Sequence, residues 1–405
     1  MSDVRLASSA GPLKASIHLP RSKSAANRAL IISALLGDLD LVQDPGAGDD
    51  TAILLRHLRE RGPVLHCGAG ATTFRFLLAW ACCQPDGPRL ITGDARLLER
   101  PHEDLVQALR HLGARIDRVP EGYRVQGGTL RGGEVHFDSP ISSQYLSALL
   151  LIAPSMRDGL HLRWTGTRLS EPYVHMTLKI MAHFGVFPAM ELDGVRVEPS
   201  SYTAAPYAVP ADWSGAAFWY EAVALTPGSA LYLQGLSDDT LQGDRAARQL
   251  WAPWVDTRFD AEGAVISHRS TPGAPPEGPV NLRNHPDLFQ PLLATCAGLG
   301  VPATFTGLDN LRVKETDRLQ AMAGTLHTLG AELRLDGGTA TLTGRVHHSI
   351  ARIDPEGDHR MALSIAPLTQ VLGQLHIANP AVVTKSYPGF WEDLQRVGLQ
   401  VDRSA

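Results

Sequence analysis

Asn310-Leu311-Arg312-Val313-Lys314-Glu315-Thr316-Asp317-Arg318 is a charged run set between a turn at Gly307 and an apolar repeat. Beyond it, Leu319, Met322, Ala323, Leu326 and Leu329 recur at three and four residues, the spacing of one buried helical face. Gly330 then supplies a helix stop where a positive φ is needed. The spacing predicts a helix opened by the charged run, with Lys314, Glu315 and Arg318 near free N–H groups that attract anions. Glu315 and Arg318 stand three apart and Lys314 and Arg318 four apart, so each pair can share a face. A carboxyl flanked by two cations beside an anion site is suited to acid/base work. The same cluster also fits a solvated helix start with local ion pairs, and the rest of the chain has to decide.

Working outward, polar residues at the mouths of apolar helices recur along the whole sequence. Arg21-Ser22-Lys23-Ser24 through Arg28 opens a helix carrying Leu30, Ile31, Ala34 and Leu35, with Ser22 or Ser24 available as cap. Ser24 and Arg28 lie one turn apart, so hydroxyl and guanidinium can meet one anion. Cys67-Gly68-Ala69-Gly70-Ala71-Thr72-Thr73-Phe74-Arg75 is a Gly-rich turn running into another helix, without the Gly-Lys-Ser/Thr of a phosphate-binding Walker loop. Arg100 precedes a helix from Leu105 to Leu112, and Ser142-Ser143-Gln144 and Ser170 with Tyr173 lead into two more. Further helices begin after Asp212, around Asp287, at Asp358-His359-Arg360 and after Lys385. Short strands fall between them, starting with a partly alternating stretch from Leu6 to Leu19 broken at Gly11-Pro12. Strands alternating with helices predict an α/β architecture. Thr271 to Pro279, rich in Pro and Gly, reads as a surface loop, and His347-His348 as strand or loop polarity.

Composition removes several function classes. At 405 residues the chain has material for two or three domains. A net charge of −5 offers no overall basic field for nucleic acid or an anionic membrane surface. No apolar run approaches a membrane-spanning length, and the first twenty residues lack a secretion-signal layout. Cys67, Cys82, Cys83 and Cys296 show no zinc spacing, which points to buried thiols in a reducing cytoplasm. Only five of the 37 cationic residues are lysines, and Lys23, Lys314 and Lys385 all fall at these polar helix mouths. Lysine is retained where a compact ammonium that can pass protons is wanted.

Taken together, Lys23-Ser24 to Arg28, Ser142-Ser143-Gln144, Pro286-Asp287, Asn310 to Arg318, Asp358-His359-Arg360-Met361-Ala362 and Lys385 closely resemble, in order, the motifs of the 5-enolpyruvylshikimate-3-phosphate synthases, members of the enolpyruvyl transferase family. The match spans nearly the whole chain. The resemblance implies two similar globular domains, each of three repeated β/α units in an inside-out α/β barrel arrangement. One domain comprises residues 21–211, and the other joins residues 1–20 to 212–405. Substrates bind in a cleft between the domains, which closes on them. The implied reaction joins phosphoenolpyruvate to the 5-hydroxyl of shikimate 3-phosphate and releases phosphate, in chorismate and aromatic amino-acid biosynthesis. The implied partners are these small molecules alone, with no metal or organic cofactor, no nucleic acid, no membrane, a monomeric state and a cytoplasmic location.

Carried over position by position, the resemblance makes Lys23, Ser24, Arg28, Ser142, Ser143, Gln144, Ser170, Tyr173, Asp287, Asn310 and Lys314 the shikimate 3-phosphate ligands. Lys23, Ala71, Arg100, Gln144, Arg318, His359, Arg360 and Lys385 fall to phosphoenolpyruvate. Asp287, helped by Lys23, is expected to take the 5-hydroxyl proton, and Glu315 to protonate the methylene carbon and later deprotonate it. Lys385 is expected to stabilise the departing phosphate, with His359 beside it. One departure stands out: Ala71 occupies the second glycine position of the family's Gly-Asn-Ala-Gly-Thr turn, and Ala69 replaces its asparagine. A methyl at Ala71 implies reduced glyphosate sensitivity, unless Gly70 shifts the turn. Two rival readings are a UDP-N-acetylglucosamine enolpyruvyl transferase, which uses a loop cysteine not matched in this chain, and an RNA 3′-phosphate cyclase-like relative, which wants a basic surface.

Overall fold

The structure, a computed structural model, describes residues 3–166, 170–274, 277–348 and 352–403. The chain divides into two compact units, one made of Met1–Pro20 with Pro210–Ala405 and the other of Arg21–Val209. Its return to the first unit falls between Val209 and Pro210, ahead of the Ala211 expected from the resemblance.

A single strand–helix motif is repeated in both units. In Arg21–Val209, strand Val64–His66 runs parallel to Pro88–Thr92, which pairs antiparallel with Gly122–Gln126, itself antiparallel to Arg115–Val119. Gly133–Asp138, Leu160–Thr165, Gly194–Val197 and Ala189–Glu191 repeat that parallel–antiparallel–antiparallel order. The third sheet keeps only a parallel pair, Val42–Gln43 with Tyr207–Ala208. The other unit has three full copies. They start from Lys14–His18 beside Ala230–Gln234, Val280–Asn281 beside Ala303–Thr306, and Arg352–Ile353 beside Gln374–Ala378. A parallel pair needs a crossover, and a helix supplies it. The architecture is therefore α/β, built from repeated units whose sheets remain open rather than closing into barrels.

The crossover helices form the centre of each unit. Trp213–Leu225 buries every residue and packs on Phe289–Leu299, and both contact His359–Ile365, again buried throughout. In the second unit Lys23–Leu36, Ala71–Cys82 and Ser143–Ile152 pack on one another. A helix that is apolar all round must be enclosed by neighbours, whereas the second helix of each repeat is amphipathic. Arg318–Leu329 shows this, burying Leu319, Met322, Leu326 and Leu329 on one face. Gly330 closes it with φ 97°, its N–H reaching the carbonyls of Leu326 and His327.

The stretch read as one broken strand, Leu6 to Leu19, is two strands in different sheets, Asp3–Ala7 and Lys14–His18. Gly11-Pro12 does more than interrupt pairing; it carries the chain from one sheet to the next. The loop expected over residues 271–279 includes positions 275 and 276, which lie outside the described residues. His347 and His348 follow the strand Thr339–Gly344 as loop, their rings in edge contact with centroids 4.2 Å apart.

Candidate active site

The charged run at 310–318 does not itself form the helix start. Asp309–Val313 is a 3-10 turn, Lys314 is extended, and the helix begins at Arg318. The physical reason is Asp317, whose carboxylate accepts the N–H groups of Leu319 at 3.1 Å and Gln320 at 3.2 Å and so caps the helix. Lys314 and Glu315 thus stand before the helix, and the pairing of Glu315 with Arg318 arises from chain folding rather than helical register. Asp287 likewise lies in a 3-10 turn, Pro286–Leu288, ahead of helix Phe289–Leu299. Lys385 ends the 3-10 turn Pro380–Lys385.

Arg318 is the hub of this unit's site. It is 2% exposed and its three nitrogens serve three carboxylates. Nε donates to Asp358 at 2.7 Å, one terminal nitrogen to Asp287 at 3.1 Å, and the other to Glu315 at 3.1 Å. Lys385 Nζ reaches the second Glu315 oxygen at 2.7 Å, and Arg360 reaches the second Asp287 oxygen at 2.9 Å. Burial opposes the charge on Arg318, yet Asp358, Glu315 and Asp287 together raise its pKa. Asp358, fully buried, also caps helix His359–Ile365 by accepting the Arg360 N–H at 2.9 Å. His359 is buried beside it, Nδ1 3.7 Å from the carboxylate, too long for a hydrogen bond. Asn310 is buried in its 3-10 turn, and Lys314 is half-buried next to Glu315. Three carboxylates against three cations leave the cluster electrically balanced.

In the Arg21–Val209 unit the expected ligands also sit at helix mouths. Lys23 is the first residue of its helix and pairs at 2.8 Å with Asp50, which opens the next helix. Ser22 is the capping residue by position, but its hydroxyl makes no cap hydrogen bond. Asp50 also lies against the Gly-rich turn: a Cβ on Gly70 would come within 2.7 Å of its Oδ1, and its carbonyl accepts the Thr73 hydroxyl at 2.8 Å. Ala71, 5% exposed, opens helix Ala71–Cys82 directly after Gly70. Ser142 caps its helix by accepting the Gln144 N–H at 3.3 Å. Ser170 holds a left-handed φ of 55° just before helix Glu171–His183, whose first turn carries Tyr173.

Arg28 is held by protein acceptors on several sides. Its guanidinium donates to the Ser24 carbonyl, not the hydroxyl, and otherwise to Thr177, Ser147 and the Tyr173 carbonyl. Four of its five N–H groups therefore go to protein acceptors, and burial lowers its pKa to about 10. Arg75 plays an organising part: it donates to Gln144 Oε1 at 2.6 Å, to Ser142 Oγ at 3.4 Å and to the Pro101 carbonyl at 2.9 Å. The pKa of His102 is pushed down to about 3, first by burial and then by Arg75, with Arg100 and Arg118 adding to it.

Asp50, Arg75 and Asp358 are site residues that sequence reasoning misses: it assigns Asp50 no part in a site, and it places Arg75 and Asp358 in motifs without a role. Each acts on a residue distant in sequence, so local spacing carries no signal. Among the described residues no group of His, Cys, Asp and Glu is arranged to hold a metal ion, and no helix is long and apolar enough to cross a membrane.

Known proteins share both the sequence pattern and the architecture. A family model described as EPSP synthase (3-phosphoshikimate 1-carboxyvinyltransferase) matches residues 60–394. A 3-phosphoshikimate 1-carboxyvinyltransferase of Bacteroides fragilis is 38% identical over 406 residues, covering 98% of each chain. One from Methanospirillum hungatei is 32% identical over 423 residues, covering 96% of each. The structure superposes on an EPSP synthase of Acinetobacter baumannii with TM-score 0.77 at 22% identity, over all of both chains. It also superposes on the enolpyruvyl transferase NikO of Streptomyces tendae with TM-score 0.76 at 14% identity, over 100% of this chain and 99% of that one. At such identities these two likenesses speak to fold alone. The family match and the Bacteroides and Methanospirillum relatives go further, and the chain belongs to the EPSP synthase (3-phosphoshikimate 1-carboxyvinyltransferase) family.

Proposed function

We infer that this chain is the enzyme its family describes, a transferase that moves the enolpyruvyl group of phosphoenolpyruvate to the 5-hydroxyl of shikimate 3-phosphate. The observation that carries the reading is the meeting of Asp287, Glu315, Arg318, Arg360 and Lys385, drawn from separate segments, in one half-buried cluster. Two carboxyl groups beside cations provide a proton acceptor when ionised and a donor when protonated, and the cations suit phosphorylated, carboxylated substrates.

The chemistry is addition followed by elimination. Asp287 accepts the 5-hydroxyl proton as that oxygen bonds to C2 of phosphoenolpyruvate, and Glu315, entering the step as the protonated acid once substrate is bound, delivers its proton to C3, which becomes a methyl group. Glu315 then takes a proton back from C3 as the bond from C2 to the phosphate oxygen breaks, and the proton held by Asp287 leaves with the phosphate. Lys385, 2.7 Å from Glu315, is placed to offset charge on the leaving phosphate. In the other unit, Lys23, Ser24, Ser142, Ser143, Gln144, Ser170 and Tyr173 are the proposed shikimate 3-phosphate ligands. Their place at helix mouths supports this. Arg28 contributes at most its remaining N–H and mainly fixes Ser24 and Tyr173. Arg318 is committed to three carboxylates, so its part is to hold Asp287 and Glu315 in place more than to grip phosphoenolpyruvate. All four cysteines are free, which fits a reducing cytoplasm, and a single chain is taken as the working unit.

The same reading extends to glyphosate. A methyl at Ala71, where the family's turn carries glycine, narrows the phosphoenolpyruvate pocket and disfavours the longer inhibitor. Phosphate release measured with each substrate alone and with both tests the assignment. Release that requires both is the expected result; release with phosphoenolpyruvate alone, or no release with both, contradicts it.

A further inference from the structure

Three helices of the Arg21–Val209 unit meet at one acidic residue. Asp50, 3% exposed, is the second residue of helix Asp49–Glu60. Its Oδ2 accepts the Lys23 ammonium at 2.8 Å, at the start of helix Lys23–Leu36. Its backbone carbonyl accepts the Thr73 hydroxyl at 2.8 Å, in the first turn of helix Ala71–Cys82. Beside it, the Thr51 hydroxyl donates to Asn27 Oδ1 at 2.9 Å, both residues buried, which joins the first two helices. The rest of the carboxylate lies on Gly70. A Cβ built there would stand 2.7 Å from Asp50 Oδ1 and 3.1 Å from its Cγ, so the carboxylate could not stay where it is. Gly70 has φ −82° and ψ 94°, a conformation open to other residues. Space, not backbone conformation, therefore demands glycine at this position.

We propose that Asp50 is a positioning residue that aims the Lys23 ammonium at shikimate 3-phosphate, with Gly70 as the gap that seats its carboxylate. The inference rests on Lys23 being a ligand of that substrate. Lysine carries three N–H donors at the end of a flexible four-carbon stem. Asp50 takes one of them and so restricts where the other two can point. The Lys23 side chain is 21% exposed, so a ligand can reach it, while that of Asp50 is closed at 5%. An ammonium already ordered in the free protein loses less freedom when substrate arrives, and affinity rises. Charge alone predicts the reverse. A carboxylate beside an anion site repels the substrate, so removing it would tighten binding if Asp50 acted only through its field. The two accounts differ in sign.

The test is calorimetric binding of shikimate 3-phosphate to wild type, Asp50→Ala, Lys23→Met and the double variant, with melting temperatures recorded alongside. Asp50→Ala should raise Kd by about tenfold, the worth of one charge-assisted hydrogen bond. In the Lys23→Met background the same change should make no further difference, because the ammonium that Asp50 aims is gone. A purely structural part for Asp50 would weaken binding equally in both backgrounds, and that result overturns the proposal. So does an Asp50→Ala protein that binds as tightly as wild type or more tightly. If Asp50→Ala does not fold, Gly70→Ala takes its place: the added methyl displaces the carboxylate, and an unchanged Kd overturns the proposal. Lys23→Met alone separates the two claims. Wild-type affinity in that variant removes Lys23 from the site, whereas lowered affinity upholds the ligand assignment whatever Asp50 does.

Discussion

Arg318 Nε and the Asp358 carboxylate meet at 2.7 Å with both side chains closed to solvent, and the proton-transfer groups hang from this pair. From the same guanidinium come the bonds to Asp287 and Glu315, and from the same carboxylate the cap of the helix bearing His359 and Arg360. Removing one partner of a buried pair leaves the other charge uncompensated. Asp358→Ala should therefore cost about 3–5 kcal/mol of stability and reduce kcat, as measured by denaturant unfolding and steady-state kinetics. A loss below about 1 kcal/mol, the worth of a helix cap alone, would show that the pair does not anchor the cluster.

Glu315→Gln keeps the shape of the side chain and removes its proton chemistry. Turnover is expected to fall by about 100-fold or more, the usual scale of general acid–base catalysis. Calorimetric binding of shikimate 3-phosphate should stay within a few-fold of wild type, while near-normal turnover would remove Glu315 from the mechanism.

Glu221 gives a stability prediction away from the chemistry. It is fully buried within helix Trp213–Leu225, neither of its carboxyl oxygens has a hydrogen-bond partner among the described residues, and burial raises its pKa well above the ordinary value. A carboxyl raised in the folded state binds its proton more tightly there than in the unfolded chain. Stability is then greatest below the unfolded pKa, about 4.3, and declines as pH rises through the range up to the folded value. Glu221→Gln should match wild type near about pH 4 and exceed it at about pH 8. Parallel stability curves would contradict this.

Arg75 holds Gln144, Ser142 and the Pro101 carbonyl with a planar fork that lysine cannot reproduce. Arg75→Lys should raise KM by about tenfold, equivalent to one lost charge-assisted hydrogen bond of roughly 1.5 kcal/mol, with a smaller effect on kcat. An unchanged KM would show that Gln144 and Ser142 position themselves.

Ala71→Gly should lower the glyphosate inhibition constant measured against phosphoenolpyruvate, and tight competitive inhibition of the unaltered protein would contradict the steric account.

Some of this is legible in the sequence, and the rest is hidden for definable reasons. Apolar spacing locates the helices, and polar residues at their mouths mark Lys23, Ser142, Asp287 and Arg360. The run at 310–318 misleads on helix position, because Asp317 offers a better cap than anything before it. Asp50, Arg75 and Asp358 stay hidden for a common reason. Asp50 lies 27 residues from Lys23, Arg75 lies 69 from Gln144, and Asp358 lies 40 from Arg318. Only the folded repeats bring such residues together, so no local pattern announces them.

Addition followed by elimination requires a proton to be added to C3 of phosphoenolpyruvate and then removed. Turnover in deuterium oxide, with the product's vinyl hydrogens followed by NMR while phosphate release is counted, tests this directly. Deuterium appearing at C3 of the transferred enolpyruvyl group is the result expected. Phosphate released at the wild-type rate with both C3 hydrogens retained would contradict it.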